Sequence, residues 1–373
     1  MKTYTTVVLF LMGLGFMSCE KSIEESAEEF PVSYNASYTV LLTGANSLYA
    51  QRLGSTVNGL AIKNESSAFA VSNSEFLSFK TENGISIYSD TECDARVQLY
   101  NSITDETTIL EVFEDLDACD IEVTDIAHTS TRIMLSYVRE LVGKEKQFMV
   151  RLIDLSSDGS TFIDIPLEKK PVDLMPSAAR LFVLTLNEFV TDEFHLSVID
   201  MAAEEHIIEL DLGYDAKKLF KNNSGDIIIS YPELHTVLDK STLDKEYTLY
   251  SLETAPGFIA TKDSFLDSYG RLYFQKSMPT AAIETVPAIY DFDKNSTVVY
   301  LYENFLTETE LNVKYAIGAT TSIGFDEANN LVLIGYRKKG QQGGGILRIS
   351  PAPDFKIIDN IDLDAVPEAI FIN

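Results

Sequence analysis

The sequence predicts an all-β fold, a seven-bladed β-propeller of four-stranded antiparallel blades whose ring is closed by the C-terminal strand. Three observations point there. A β run preceded by a polar or small residue recurs at Thr39, Gly84, Arg132, Arg180, Asp226, Arg271 and Asn330, at intervals of 45, 48, 48, 46, 45 and 59 residues. A period in the mid-forties, with β-branched and aromatic runs split by Gly, Asn, Asp and Ser, is the signature of propeller blades. Each period holds about four short apolar runs and no helix-length apolar stripe. Finally, the chain ends in an orphan apolar run, Ala369–Ile372, while its first period lacks an inner strand.

The clearest period is Pro171 to Asp200. Val172–Met175 forms a first strand, a small-residue turn leads to Arg180, Leu181–Leu186 forms the second, and a third ends at Asp200. Third strands are expected likewise at Val97–Tyr100, Leu152–Leu155, Leu196–Ile199, Tyr247–Tyr250, Ala288–Tyr290 and Ile346–Ile349. Weaker fourth strands follow at such stretches as Thr161–Ile165 and His206–Leu210. The long last interval is assigned to loop insertions at Met278–Pro287 and Thr307–Lys314, which surface turns tolerate cheaply. Phe30–Ser37 is polar and short of strand formers, so Ala369–Ile372 is expected to supply the missing inner strand. That pairing removes an edge open to aggregation. Two β-sandwiches of about 175 residues each are the rival architecture, and they explain neither the even spacing nor the orphan strand.

Ahead of the fold, Lys2 and the apolar run Val7–Phe16 lead to Ser18 and Cys19. The run is too short to span a bilayer and reads as a signal peptide over residues 1–18. A small residue directly before a cysteine at the end of such a run resembles the lipobox of bacterial lipoproteins, with Phe16 where Leu is usual. The resemblance implies cleavage before Cys19 and acylation there. An ordinary secretory signal is the alternative. Several acyl chains, at about 0.8 kcal/mol per buried methylene, hold a protein on a bilayer without a spanning helix. Residues 19–36 read as an acidic, solvated tether. The stretch Glu20–Glu29 resembles the export signal of surface-exposed lipoproteins in Gram-negative gut anaerobes, which implies an outer-membrane protein facing outward, with a periplasmic orientation as the alternative. The propeller domain occupies 37–373. Cys93 and Cys119, the remaining cysteines, form a disulfide candidate in an oxidising compartment, with unpaired buried thiols as the alternative.

The formal net charge of −28 repels nucleic acid and anionic lipid, so neither is an expected partner. Four histidines with no histidine neighbour within five residues, and no HExxH pattern, give no zinc site. Asp291, Asp293 and Asn295 alternate as in a calcium loop, but Ser296 and Tyr302 stand where that loop needs Gly and a carboxylate, so turn chemistry is expected. Asp115–Asp117 and Asp359–Asp364 read the same way, and His128 and His235 read as surface or capping residues. No nucleophile elbow is present, and no catalytic residue, metal or cofactor is assigned. The Gly-rich stretch Arg337–Gly345 offers cations and backbone amides to an anion, or is mere slack between two strands; slack is the favoured reading. Loops of this class share one end of a propeller. Arg139, Lys144, Lys146, Lys276, Arg337, Lys338 and Lys339 fall on them, and Tyr137, Tyr231 and Tyr336 end the preceding strands. These cations and aromatic walls make a candidate ligand face.

Lipobox, acidic tether and seven irregular blades together resemble the propeller lipoproteins of Gram-negative gut anaerobes. The opening strand Tyr38–Gly44 and the stretch Ala288–Asp293 are similar to that group's. In the group some members sit beside outer-membrane transporters and capture iron–siderophore complexes or other nutrients. The resemblance implies a non-enzymatic surface lipoprotein that binds a small ligand or a transporter partner at the mouth of its central channel. Two alternatives stay open. One is a lactonase-like or glycan-cleaving hydrolase using channel carboxylates, which clustered acids of raised pKa at the ring axis would favour. The other is a structural adaptor, which an apolar surface patch would favour.

Overall fold

The central strands carry apolar side chains at consecutive positions, because both faces of each sheet are covered. In the run Leu181–Leu184, Leu181 and Val183 pack towards one neighbouring blade and Phe182 and Leu184 towards the other. Successive strand residues point to opposite faces. The computed structural model describes residues 34–44, 47–69, 76–141, 143, 145–157, 161–251, 255–258 and 264–373, without the side chains of 64–68. The compact unit runs from Asn35 to Asn373. The signal stretch, Cys19, nearly all of the tether, and Lys144 lie outside the described residues.

Seven four-stranded antiparallel sheets follow one another. The first joins β1 (Ser37–Thr43), β2 (Leu48–Thr56) and β3 (Gly59–Phe69) to the last strand of the chain. The second holds β4 (Leu77–Lys80), β5 (Gly84–Thr91), β6 (Asp94–Asn101) and β7 (Glu106–Glu111). The third holds β8 (Ile121–His128), β9 (Arg132–Glu140), β10 (Lys146–Asp154) and β11 (Thr161–Leu167). The fourth holds β12 (Lys170–Ser177), β13 (Arg180–Leu186), β14 (Glu193–Asp200) and β15 (Glu205–Tyr214). The fifth holds β16 (Lys218–Lys221), β17 (Ile227–Ser230), β18 (Leu234–Leu238) and β19 (Lys245–Leu249). The sixth holds β20 (Ser264–Leu266), β21 (Arg271–Ser277), β22 (Thr285–Asp291) and β23 (Ser296–Val299). The seventh holds β24 (Ile317–Asp326), β25 (Leu331–Lys338), β26 (Gly344–Ile349) and β27 (Ile357–Leu363).

The last strand, β28 (Val366–Ile372), pairs antiparallel with β1, Tyr38 opposite Ile372 and Leu41 opposite Ala369. It is the inner strand of the first blade and closes the ring, as the orphan run implies. Seven apolar clusters fill the fold, and each lies between two consecutive blades. The core is therefore divided into seven walls, and ring closure completes the one holding Val40, Leu333 and Ile370.

Gly84, Arg132, Arg180 and Arg271 open their second strands, while Asp226 and Asn330 stand just before theirs; Thr39 lies inside β1. The fifth blade departs from expectation. Its third strand is β18, and Tyr247–Leu249 belongs to the fourth. A tight turn, in which the Tyr231 amide donates to the Leu234 carbonyl at 2.9 Å, brings the third strand early. The polar His235 and Thr236 conceal it. The expected insertion at Met278–Pro287 is shorter, because Thr285 already opens β22. The Thr307–Lys314 stretch holds a helical turn, Glu310–Lys314, that buries Leu311 in the wall between blades six and seven.

Cys93, at the β5–β6 hairpin, and Cys119, in the short turn Ala118–Asp120, are joined by a disulfide with Cα atoms 4.9 Å apart. Cys119 stands in the link to the third blade, so the bond ties a hairpin of blade two to that link.

Candidate functional site

An innermost strand has one paired edge and one edge that faces the channel, where its amides need another acceptor. Blades three and four meet that need in the same way. The bulge after Val123 in β8 shifts the register at Asp125, and one after Pro171 in β12 does so at Asp173. An extra residue at a bulge re-aims the side chains beside it. Asp125 Oδ2 accepts the Leu174 amide of blade four at 2.7 Å, and Asp173 Oδ2 accepts the Leu219 amide of blade five at 2.6 Å. Asp125 lies opposite Ser136, and Lys218 lies opposite Ser230, at matching places in blades three and five. Asp125, Asp173 and Lys218 thus form one row across three consecutive inner strands.

The electrostatics of the row follow from that geometry. Burial raises the Asp125 carboxyl well above the usual carboxylate range, and the negative charge of Asp173 raises it further. Burial also raises Asp173, against the opposing charge of Lys218 and a hydrogen bond with Asp125. The pair therefore keeps a proton, on Asp125, to a higher pH than an ordinary carboxyl does. No sequence motif marks these acids. The available signal was positional: Asp125 and Asp173 each sit seven residues before the anchor of their own blade.

The structure places the expected ligand face differently. Tyr137 and Tyr336 are buried in the walls between blades, and neither lines an open face. The Tyr336 hydroxyl donates to Asn360 Oδ1 at 2.9 Å. Both strands run on past these tyrosines, to Glu140 and Lys338, so the rings lie within the wall and not at its end. Tyr231 is half-buried, its hydroxyl donating to the Leu212 carbonyl at 3.4 Å, and burial pushes it up to about 12. Arg337 pairs with Glu284 at 2.7 Å and Lys338 with Asp362 at 3.0 Å. Lys146 pairs with Glu188 at 3.0 Å. Lys276 donates to the carbonyls of Ala255 and Pro256 at 3.0 and 2.9 Å, and burial lowers its pKa. Arg139 is half-buried in β9, and its positive charge helps the ion pair from Arg151 hold Asp115 below its ordinary range. Arg337, Lys338, Lys146 and Lys276 are thus bound up within the chain.

The end of the Gly-rich stretch, Gly343–Gly345, is not slack. Gly344 and Gly345 are buried strand residues opposite Arg337 and Tyr336. A Cβ on Gly345 would lie 2.6 Å from the Tyr336 ring, and one on Gly343 would lie 2.8 Å from the Leu363 carbonyl oxygen. The glycines let the seventh blade close on its own tyrosine.

Asp291, Asp293 and Asn295 form a turn: Asp291 Oδ1 accepts the Lys294 amide at 3.0 Å, and Asn295 Oδ1 accepts the Tyr290 hydroxyl at 2.6 Å. Among the described residues, no three His, Cys, Asp or Glu side chains stand together as a metal would require. His128 lies half-buried beside Ser86, 3.0 Å from its hydroxyl. His235 is 2% exposed, stacked on Tyr250 and edged by Tyr290 and Phe292, with its Nδ1 unpartnered. Burial lowers both histidines to about 4. His235 is thus a core residue, not the surface or capping residue its sequence context suggests.

No protein-family model matches the chain, nor does any curated protein sequence. Solved propellers do. A candidate 6-phosphogluconolactonase of Bacteroides fragilis aligns over 91% of this chain and 98% of its own, with TM-score 0.52 and 14% identity. Apo AztD of Citrobacter koseri aligns over 91% and 98%, with TM-score 0.50 and 11% identity. A puromycin-hydrolysing peptidase of Mycobacterium tuberculosis aligns over 91% of this chain, which spans 55% of that longer one, with TM-score 0.50 and 10% identity. At such identities these likenesses show the fold alone.

Proposed function

We propose that the protein is a non-enzymatic binding propeller that holds a small polar ligand in its central channel at the Asp125–Asp173–Lys218 row. The row itself carries the proposal, because two acids and a lysine stand at matching places on the inner strands of three consecutive blades. Both acids already hold a backbone amide of the next blade. Each acid is thereby fixed in place, which suits recognition by a preformed site. An iron–siderophore complex or a similar polar nutrient fits the expected role. The test is a thermal-shift screen of the form beginning at Glu20 against ferric and apo siderophores, haem, oligosaccharides and calcium. A ligand at 100 times its dissociation constant adds about 2.7 kcal/mol. One class that raises the melting temperature supports the reading; flat curves throughout count against it.

A hydrolase is the second reading, and the raised carboxyl pair favours it, because a carboxyl that keeps its proton above the ordinary carboxylate range is better suited to serve as a general acid. Lactone and glycoside panels, assayed for product, decide between the two. We also propose that acylation at Cys19 anchors the protein to the outer membrane, facing outward. Cys19→Ala should leave the protein in the soluble fraction, and surface proteolysis of intact cells reads the orientation.

A further inference from the structure

A phenylalanine exposed almost completely and held on a braced loop cannot fold away, and it stays available to a partner. Phe189 is 97% exposed in the loop between β13 and β14. The loop is well tied. The Asn187 amide donates to the Glu193 carbonyl at 3.0 Å, and the Asn187 side chain accepts the Phe189 amide at 3.0 Å while donating to the Glu193 carboxylate. Lys146 of blade three holds Glu188 at 3.0 Å, and the Asp215 amide donates to the Asp192 carbonyl at 3.0 Å. Val190, 38% exposed, adjoins Phe189 in sequence. Tyr214, 61% exposed, pairs in register with Glu193 at the near end of the neighbouring strand.

The surroundings are acidic. Glu188, Asp192, Glu193 and Asp215 stand on these two segments, and the nearby lysines, Lys146 and Lys217, are each already paired to one of them. A rigid aromatic knob with an acidic rim is the pattern of an interface anchor, where a buried aromatic gives affinity and rim charge gives orientation and on-rate. An acidic rim on a chain of formal net charge −28 repels both a second copy and an anionic bilayer.

We propose that Phe189, Val190 and Tyr214 dock a partner protein presenting an apolar pocket rimmed by lysine and arginine. This surface is separate from the channel row and stands or falls independently of it.

The test places the photoreactive residue p-benzoylphenylalanine at position 189 of the full chain in its native host, with position 57 as control. Val57 is 87% exposed in the turn between β2 and β3, at the opposite end of its blade from the loop class that carries Phe189. The expected result has three parts: a discrete protein adduct from 189 and not from 57, a crosslinked peptide flanked by basic residues, and binding of that purified partner that weakens at least tenfold in Phe189→Ser. The same binding weakens several-fold between about 50 and 500 mM salt, as a charged rim requires. Because the side chain is exposed, the variant should keep the wild-type melting temperature, which separates lost docking from lost folding. Adducts to a second copy or to lipid, identical adducts from both positions, no adduct, or partner binding unchanged in Phe189→Ser would each overturn the proposal.

Discussion

Asp125 and His235 are buried titratable groups whose shifts run in opposite directions, and their pH signatures should oppose each other. Asp125 keeps its proton in the folded state to a higher pH than in the unfolded chain. Folding therefore binds a proton in that window, and the stability linked to it is lost as pH rises from the ordinary carboxylate range through the raised value. Asp125→Asn keeps an oxygen for the Leu174 amide and removes the charge. It should melt with the wild type at low pH and progressively above it as pH rises. A constant gap across the range would refute the shared proton. His235 behaves oppositely: it stays neutral when folded, with a pKa near 4, so stability is lost as pH falls from about 6.5 to about 4. His235→Phe, filling the same ring position without the unpartnered Nδ1, should melt about 2–4 °C higher and show a shallower acid limb, read by melting curves at stepped pH.

At the scale of elements, the strand that arrives last in sequence holds the first blade. β28 contributes Ala369, Ile370 and Phe371 to the two walls on either side of blade one. Deleting Ala369–Asn373 removes those side chains and exposes an edge of β1. Losing a buried Ile370 or Phe371 side chain costs about 2–5 kcal/mol each before relaxation, so the whole domain should be destabilised. A truncated chain with an unchanged melting curve would contradict ring closure. Second strands were legible in the sequence because both their faces are covered, which leaves uninterrupted apolar runs such as Leu181–Leu184. Strands with one solvated face were harder to read, and β18, short and interrupted by His235 and Thr236, was misplaced onto Tyr247. The glycines at Gly343–Gly345 looked like slack because composition does not reveal that Tyr336 and the Leu363 carbonyl pack where their side chains would be.

Across the whole molecule, the repeat made the architecture readable, since each blade buries its faces only against its neighbours and the spacing must therefore stay even. The site was not readable in that way. Its acids are single residues on different strands, brought together by two bulges and by the turn of the ring. Of the cations that stood out in sequence, Lys146, Arg337 and Lys338 are paired with carboxylates of the chain and Lys276 is held by two carbonyls. An excess of 28 negative charges also keeps most surface acids from being informative one by one. Binding of a small ligand at the channel row without its transformation is measured most directly by calorimetric titration of a ligand that raises the melting temperature, into wild type and into Asp173→Asn, with the ligand analysed afterwards. Affinity should be at least tenfold weaker in the variant, with ligand recovered intact from both. Equal affinity in the two proteins, or recovery of a cleaved product from the wild type, would contradict it.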